Sequence, residues 1–314
     1  MSEVFAPPAP LQTAVLFLVF NRPDTTKQVF EAIRQARPPR LYVAADGARL
    51  NREGEAARVA QVRQIATAVD WPCEVKTLFR EKNLGCKMAV SGGIDWFFQN
   101  EKCGIILEDD CLPSANFFEF CDDMLGFYEH DKRVYSVAGS NFGSGTDNFG
   151  HTFSSYSLMW GWATWADRWK SYDLNPKDHR NIICKKWWKR PVALLYWLLV
   201  YRNLSAQKID TWDYQWILAV WRHYALSCRP SHNLVANVGF GIDATHTFFE
   251  NDPVAKMQYY DGTKNFKNRL HKIKPDRSIE FDDERVWAKL NIRSVLLMMF
   301  PWLQSVKKML NSNR

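Results

Sequence analysis

Gly104-Ile105-Ile106-Leu107-Glu108-Asp109-Asp110 is an apolar run that ends abruptly in three acids. A continuous Ile/Leu run bounded by polar residues is what a strand covered on both faces requires. Three carboxylates directly after it are costly, because like charges repel and burial disfavours each charged form, so a compensating cation is expected. A hard divalent ion, Mn²⁺ or Mg²⁺, takes such oxygens and bridges readily to phosphates. The ordinary alternative is a solvated turn with helix-capping acids. On the triplet alone the two readings stand level.

The chain on either side tips the balance. Upstream, residues 14–20 (AVLFLVF) and 41–45 (LYVAA) read as buried strands, and 73–79 is a third strand candidate. Helical patterns fall between them at about 24–35, 52–68 and 85–99, with Asp24 as a cap for the first. Downstream, Ser114 caps a helix over about 116–128, and 134–138 is a fifth strand. This order predicts an α/β fold with a mostly parallel sheet and helices on both faces. In such sheets ligands bind along the edge shared by the strands' carboxyl ends. Asn21-Arg22, Asp46 and Asp109-Asp110 all follow strands and therefore converge on that edge.

Beyond Gly139 the pattern changes. Residues 139–155 read as a loop, 157–169 (SLMWGWATWADRW) as a compact aromatic segment, and about 210–224 as a helix. The 14 tryptophans fit a large aromatic core, with carbohydrate sites and membrane interfaces as the other settings that favour this residue. The net charge of +7 is compatible with a polyanionic partner. Its basic residues gather late in the chain, which favours a surface over a pocket, and nothing beyond net charge points to nucleic acid. Lys185, Lys186, Lys189 and Arg190 with Trp187 and Trp188, and later Trp302, Lys307 and Lys308, suit peripheral contact with an anionic membrane. A helical hairpin packed on the core with a solvated basic face fits residues 177–209 equally well. The 7 cysteines are odd in number and show no CxxC spacing, so neither a disulfide framework nor structural zinc is expected. No signal peptide or spanning segment is visible, and a cytoplasmic setting, at the inner face of a membrane if the basic segments bind it, is the expectation.

Several single residues are candidates for the site, each with an ordinary alternative. Arg22 offers a planar fork of donors to phosphate but stands beside a Pro turn. Asp46 can accept from a base or ribose, although Asp-Gly is a common turn pair. Lys82 and Asn83 can reach a diphosphate or sugar, or simply form a loop. Asp213, set between Trp212 and Tyr214, can be desolvated toward a general base, or be an acid placed by a helix dipole. His246 ends a Gly-bearing segment that suits a lid over a diphosphate.

Taken together, residues 13–250 resemble the GT-A glycosyltransferases, most closely the N-acetylglucosaminyltransferase I type and bacterial proteins called nucleotide-diphospho-sugar transferases. The strongest match runs from Ile105 through Glu108-Asp109-Asp110 to Phe117-Phe118-Glu119. The resemblance implies that Asp110 coordinates the metal and that Glu108 and Asp109 contact the donor. It likewise implies donor contacts at Arg22 and Asp46, and a similar Gly161-Trp162 segment makes Trp162 another. Asp213 is similar to the family's catalytic Asp, and Phe240-Gly241…Thr245-His246 to its donor-covering loop. It further implies a nucleotide-sugar-binding half at 13–140, an acceptor-binding, catalytic half of the same domain at 141–250, and a basic extension at 251–314. The activity implied is metal-dependent, inverting transfer of a sugar from a nucleotide-diphosphate donor, UDP-linked in the family, to a glycan or lipid-linked acceptor, in bacterial surface glycan synthesis. Two features depart from the pattern: Tyr214 stands where the family has a second Asp, and the insert at about 177–209 looks foreign to the animal enzymes. The competing classes are a sugar-phosphate nucleotidyltransferase, whose Gly-rich N-terminal loop is missing from residues 20–27, and a non-catalytic sugar-binding relative.

Overall fold

The computed structural model describes residues 11–143, 150–240, 257–260 and 272–300. The first half alternates strand and helix as the hydrophobic pattern predicts. β1 (Val15–Val19), α1 (Pro23–Ala36), β2 (Arg40–Ala45), α2 (Glu55–Ala66), β3 (Glu74–Phe79), α3 (Cys86–Phe98) and β4 (Cys103–Glu108) follow in order. β5 (Cys111–Pro113), α4 (Ala115–Phe127), β6 (Val134–Ala138), β7 (His151–Ser154), β8 (Trp162–Trp165) and a short α5 (Ala166–Trp169) come next. Then come α6 (His179–Trp187), α7 (Pro191–Ser205), α8 (Asp213–Arg222), β9 (Leu226–Pro230) and β10 (Val235–Asn237). The last elements are α9 (Arg277–Asp282), a π-helical turn (Asp283–Trp287) and α10 (Ile292–Met299).

The main sheet has eight strands in the order β3-β2-β1-β4-β8-β6-β9-β7. β3, β2, β1 and β4 are mutually parallel, and β6 pairs in parallel with β9. β8 lies antiparallel between β4 and β6, and β7 antiparallel on β9, so β6 and β9 point the same way as β1–β4. The aromatic segment read as merely compact therefore contains a central strand, β8. Gly161, at φ +59°, makes the turn into it, and a Cβ there would come within 2.8 Å of Val235.

Successive residues of the buried strands enter opposite cores. Val15, Phe17 and Val19 pack with residues of α1, α2 and α4, whereas Leu16 and Leu18 pack with residues of α3, α7 and α8. That is the physical meaning of an unbroken apolar run: both faces are covered, and each large apolar side chain removed from water is worth about 1.5–3 kcal/mol. The tryptophans gather mainly in the second core. Trp162 stacks on Trp212 with ring centroids 5.7 Å apart, and Trp197 meets Trp221 edge-on at 4.8 Å.

Two caps differ from the sequence reading. α1 begins at Pro23, with Arg22 as its N-cap residue, and Asp24 falls inside the first turn. Proline's fixed φ and missing N–H suit the first helical position, which moves the start ahead of the acid. Ser114 does occupy the N-cap of α4, but its hydroxyl makes no cap hydrogen bond. The segment 177–209 holds α6 and α7, with Ile183, Trp187, Trp197 and Val200 in the second core. Among the described residues no helix is long and apolar enough to cross a membrane, and none of the seven cysteines forms a disulfide.

Candidate active site

A cavity of about 1010 Å³ lies along the carboxyl ends of β1, β2 and β4 and is closed on another side by the start of α8. Arg22, Asp46, Asn83, Glu108, Asp109, Asp110 and Asp213 all border it. Small-molecule sites run to about 300–1,000 Å³, so there is room for more than one small substrate.

Glu108 is the last residue of β4, and Asp109 and Asp110 form the turn into β5. Asp109 is only 3% exposed; it accepts from the Phe20 N–H at 3.1 Å and from the Arg22 guanidinium. The same guanidinium donates through Nη1 to Asp110 Oδ2 at 2.9 Å. The counter-cation that the triplet demands is thus in part the chain's own Arg22, which sequence reasoning assigned to the nucleotide alone. Burial opposes the Arg22 charge, but Asp109 and Asp110 outweigh it and hold the group firmly protonated. Burial also pushes the Glu108 carboxyl well above the usual range, helped by Asp110 and Asp109 and opposed by Arg22. Asp109 is raised by burial as well, with Arg22 pulling the other way. Burial and mutual repulsion therefore oppose full ionisation of this edge of the cavity.

β10 pairs antiparallel with β5 and carries the next loop across the triplet. The Val238 N–H donates to the Asp110 carbonyl at 2.8 Å. Gly239 is required there by space: a Cβ would stand 2.4 Å from Asp110 Oδ2 and 2.7 Å from Arg22 Nη1.

Asp46 borders the cavity, yet its carboxylate is engaged by the loop after β3. It accepts from Asn83 Nδ2 at 3.0 Å and from the Leu84 and Gly85 N–H groups at 3.0 and 3.2 Å. Burial raises its pKa, and the backbone N–H groups of Leu84, Gly47 and Gly85 with the Arg80 charge restrain the rise. Asn83 is committed to Asp46 and to the Gly47 carbonyl. Lys82 is exposed and is not part of the cavity wall. Trp162 also stands away from the wall: wholly buried in β8, it backs Trp212, which does border the cavity. The expected donor contact at Trp162 is therefore replaced by a place in the core, because strand alternation turns that side chain into the second aromatic layer. His246 lies outside the described residues.

Asp213 is the first residue of α8 and is partly exposed. Its Oδ1 accepts from Thr211 Oγ1 and from the Tyr214 N–H. Its charge helps to raise Glu108, so the two carboxylates act on each other electrostatically at the site. Just ahead, Asp210 accepts from the Cys86 and Lys87 N–H groups at 3.0 and 3.1 Å, tying this segment to the start of α3. Cys86 borders the cavity, but burial and the surrounding acids, Glu108 first, drive its thiol pKa far up, so it is a neutral wall rather than a nucleophile.

Sequence reasoning missed several wall residues. Arg80 follows β3 directly, and the carboxyl-end rule that found Arg22 and Asp46 applies to it equally. Arg49 borders the cavity and is held by Glu55, which has no exposed surface. Glu55 also accepts from Asn21 Nδ2 at 2.8 Å, joining the loops after β1 and β2, and the Arg49 bonds hold its carboxyl down at about 2. Phe142 and Trp160, together with Phe240 of the segment already read as a donor cover, form an aromatic side of the cavity, with successive ring centroids 5.5 and 5.9 Å apart. Trp287 adds to the wall from the π-helical turn, and no local sequence signal marks it. That turn is anchored by Asp283, which pairs with Arg229; neither side chain is exposed.

The candidate metal ligand on the cavity wall is Asp110, whose Oδ2 accepts from Arg22. Asp110 borders the cavity with Glu108 beside it, while among the described residues no group of three or more His, Cys, Asp or Glu could hold a metal on its own. An ion of the Mg²⁺ type commonly takes one or two carboxylates and completes its shell with phosphate oxygens and water.

No protein-family model matches the sequence, and no curated protein matches it. Solved structures that match include a UDP-glucose pyrophosphorylase complexed with UDP-glucose, at TM-score 0.29 and 10% identity, covering 51% of this chain and 78% of that one. Another is apo UDP-glucose pyrophosphorylase, at TM-score 0.34 and 8% identity, covering 70% and 90%. Likenesses this distant bear on neither family nor activity.

Proposed function

We propose that the protein is a glycosyltransferase that moves a sugar from a nucleoside-diphosphate donor to a hydroxyl acceptor with inversion. The observation that carries this reading is the meeting of the Arg22-bridged acid triplet and Asp213 around one cavity at the strands' carboxyl ends. The donor's diphosphate lies by the Arg-bearing rim, where Arg22 and Arg80 supply positive charge and Asp46 fixes the loop of residues 83–85 beside it. Asp110 would hold Mn²⁺ or Mg²⁺, which when bound would supply positive charge to the leaving diphosphate.

Asp213 is the general base. Thr211 and the Tyr214 N–H fix its Oδ1, which orients the carboxylate at the cavity wall. It takes the proton of the acceptor hydroxyl as the oxygen attacks the anomeric carbon from the face opposite the diphosphate. The carbon–oxygen bond to the diphosphate breaks, and its electron pair leaves with the phosphate oxygen. The aromatic side formed by Trp160, Phe240 and Trp287 faces the acceptor, a glycan or lipid-linked sugar whose apolar ring face stacks on it.

Product analysis tests this reading. Incubation with a nucleotide sugar and an acceptor releases a nucleoside diphosphate, and Asp213→Asn lowers that rate about 10²–10⁴-fold while nucleotide binding persists. Pyrophosphate released from a nucleoside triphosphate and a sugar phosphate identifies a nucleotidyltransferase instead.

A further inference from the structure

Beyond the cavity, α7 and α10 present an outer surface that the transfer reaction does not use. α7 packs against both α6 and α10. Inward, Ala193, Trp197 and Val295 join the second core. Outward, α7 exposes Val192 and Leu195, and α10 exposes Ile292, Leu296 and Met299. Isolated exposed apolar residues are ordinary, but strips on two neighbouring helices are not. At the α6–α7 corner, Trp188 is 67% exposed, whereas most of the other tryptophans are in the cores. The Lys189 ammonium sits 4.8 Å from its ring centre.

Charge indicates the occupant. Between Asp178 and Asp210 the sequence holds no carboxylate side chain, and none follows Arg285. Lys185, Lys189 and Arg293 are exposed around the apolar strips. Apolar helix faces with an indole and a cationic border, on helices that carry no carboxylate of their own, match the requirements of an anionic lipid surface: shallow apolar insertion, an amphipathic ring at headgroup level, and attraction to phosphate. A protein partner of matching chemistry would need its own acidic rim, whereas an anionic bilayer supplies that charge everywhere.

We propose that this α7/α10 face docks the protein on the surface of an anionic lipid bilayer. Ile292 follows the cavity residue Trp287 by five positions, a span of at most about 18 Å. The docked face therefore begins close to the aromatic side of the cavity. Only the consequence rests on the proposed transfer activity: a lipid-linked acceptor would meet the cavity at the surface that carries it.

Flotation of the full chain tests the docking directly. The vesicles are equal parts phosphatidylglycerol and phosphatidylcholine in one arm and phosphatidylcholine alone in the other. The protein floats with the anionic vesicles and is released as salt rises. Lys189→Glu weakens that partition about tenfold or more, and Leu296→Asp does so through the apolar strip. Both positions are exposed, and an unchanged unfolding temperature shows that each variant remains folded. Equal partition into both vesicles, no partition, or partition unaffected by both substitutions overturns the proposal. So does a dimer of the wild type that Leu296→Asp dissociates, because the face would then belong to a second copy. Nucleotide-sugar binding measured without vesicles reports on the transfer reading separately.

Discussion

Arg22→Met removes the charge that bridges the acid triplet while keeping much of the side-chain volume. In the wild type this guanidinium donates to both Asp109 and Asp110. Removing one partner of a fully buried ion pair costs about 3–5 kcal/mol. Arg22 and Asp110 keep 22% and 17% exposure, so solvent screening lowers the expected cost to about 2–3 kcal/mol at pH 8. The sign of the pH dependence follows from Glu108 and Asp109, both already raised by burial. Without Arg22 they rise further. A carboxyl with a raised folded pKa binds its proton more tightly in the native state, so its penalty is absent below the unfolded value and grows as pH climbs through the raised range. The deficit of the variant should therefore shrink toward pH 5, where Glu108 and Asp109 take up protons and only their share of the repulsion is relieved, and reach its full size at pH 8. Urea unfolding followed by tryptophan fluorescence at both pH values measures it. Mn²⁺ added at pH 8 should recover part of the loss by replacing the missing charge. A deficit equal at both pH values, or larger at pH 5, would refute the claim that Arg22 acts by neutralising the triplet.

Two other substitutions probe the frame of the site. Gly239→Ala places a methyl 2.4 Å from Asp110 Oδ2, so the loop or the acid must shift; calorimetry should show donor binding weakened by about tenfold, with about 1–3 kcal/mol lost in stability, and unchanged binding would mean that this loop does not shape the site. Arg229→Met leaves the unexposed Asp283 without its cation and should cost about 3–5 kcal/mol in denaturant unfolding; a neutral outcome would show that the C-terminal segment bearing Trp287 is not held by this pair.

The parallel half of the fold was legible because β1, β2 and β4 are covered on both faces and so read as continuous apolar runs, residues 14–20 being the clearest. β8 was not legible: its Trp and Thr residues read as a compact aromatic segment, and only pairing with β4 and β6 makes them a strand. Arg22, Asp46 and Asp110 were legible as rim residues because topology alone carries a strand's carboxyl end to the ligand edge. Their partners were not, since hydrogen bonding is set by tertiary approach. Asp46 faces the loop of residues 83–85, and Arg22 faces the acids, at sequence separations no local pattern encodes. Trp287 lay beyond reach for the same reason, being carried to the cavity by a contact between Arg229 and Asp283. Trp162 was misplaced because a motif fixes a residue's position along the chain, whereas strand alternation fixes which layer it enters.

The central claim is that the acid triplet and its cavity bind a nucleotide sugar together with a divalent ion. Calorimetric titration of nucleotide sugars into the wild type and Asp110→Ala, each with and without Mn²⁺, tests it most directly. The account predicts that the wild type binds at least one nucleoside-diphosphate sugar more tightly with Mn²⁺ present, and that Asp110→Ala loses that metal-dependent gain. Identical binding by the two proteins, or no binding of any nucleotide sugar, would contradict it.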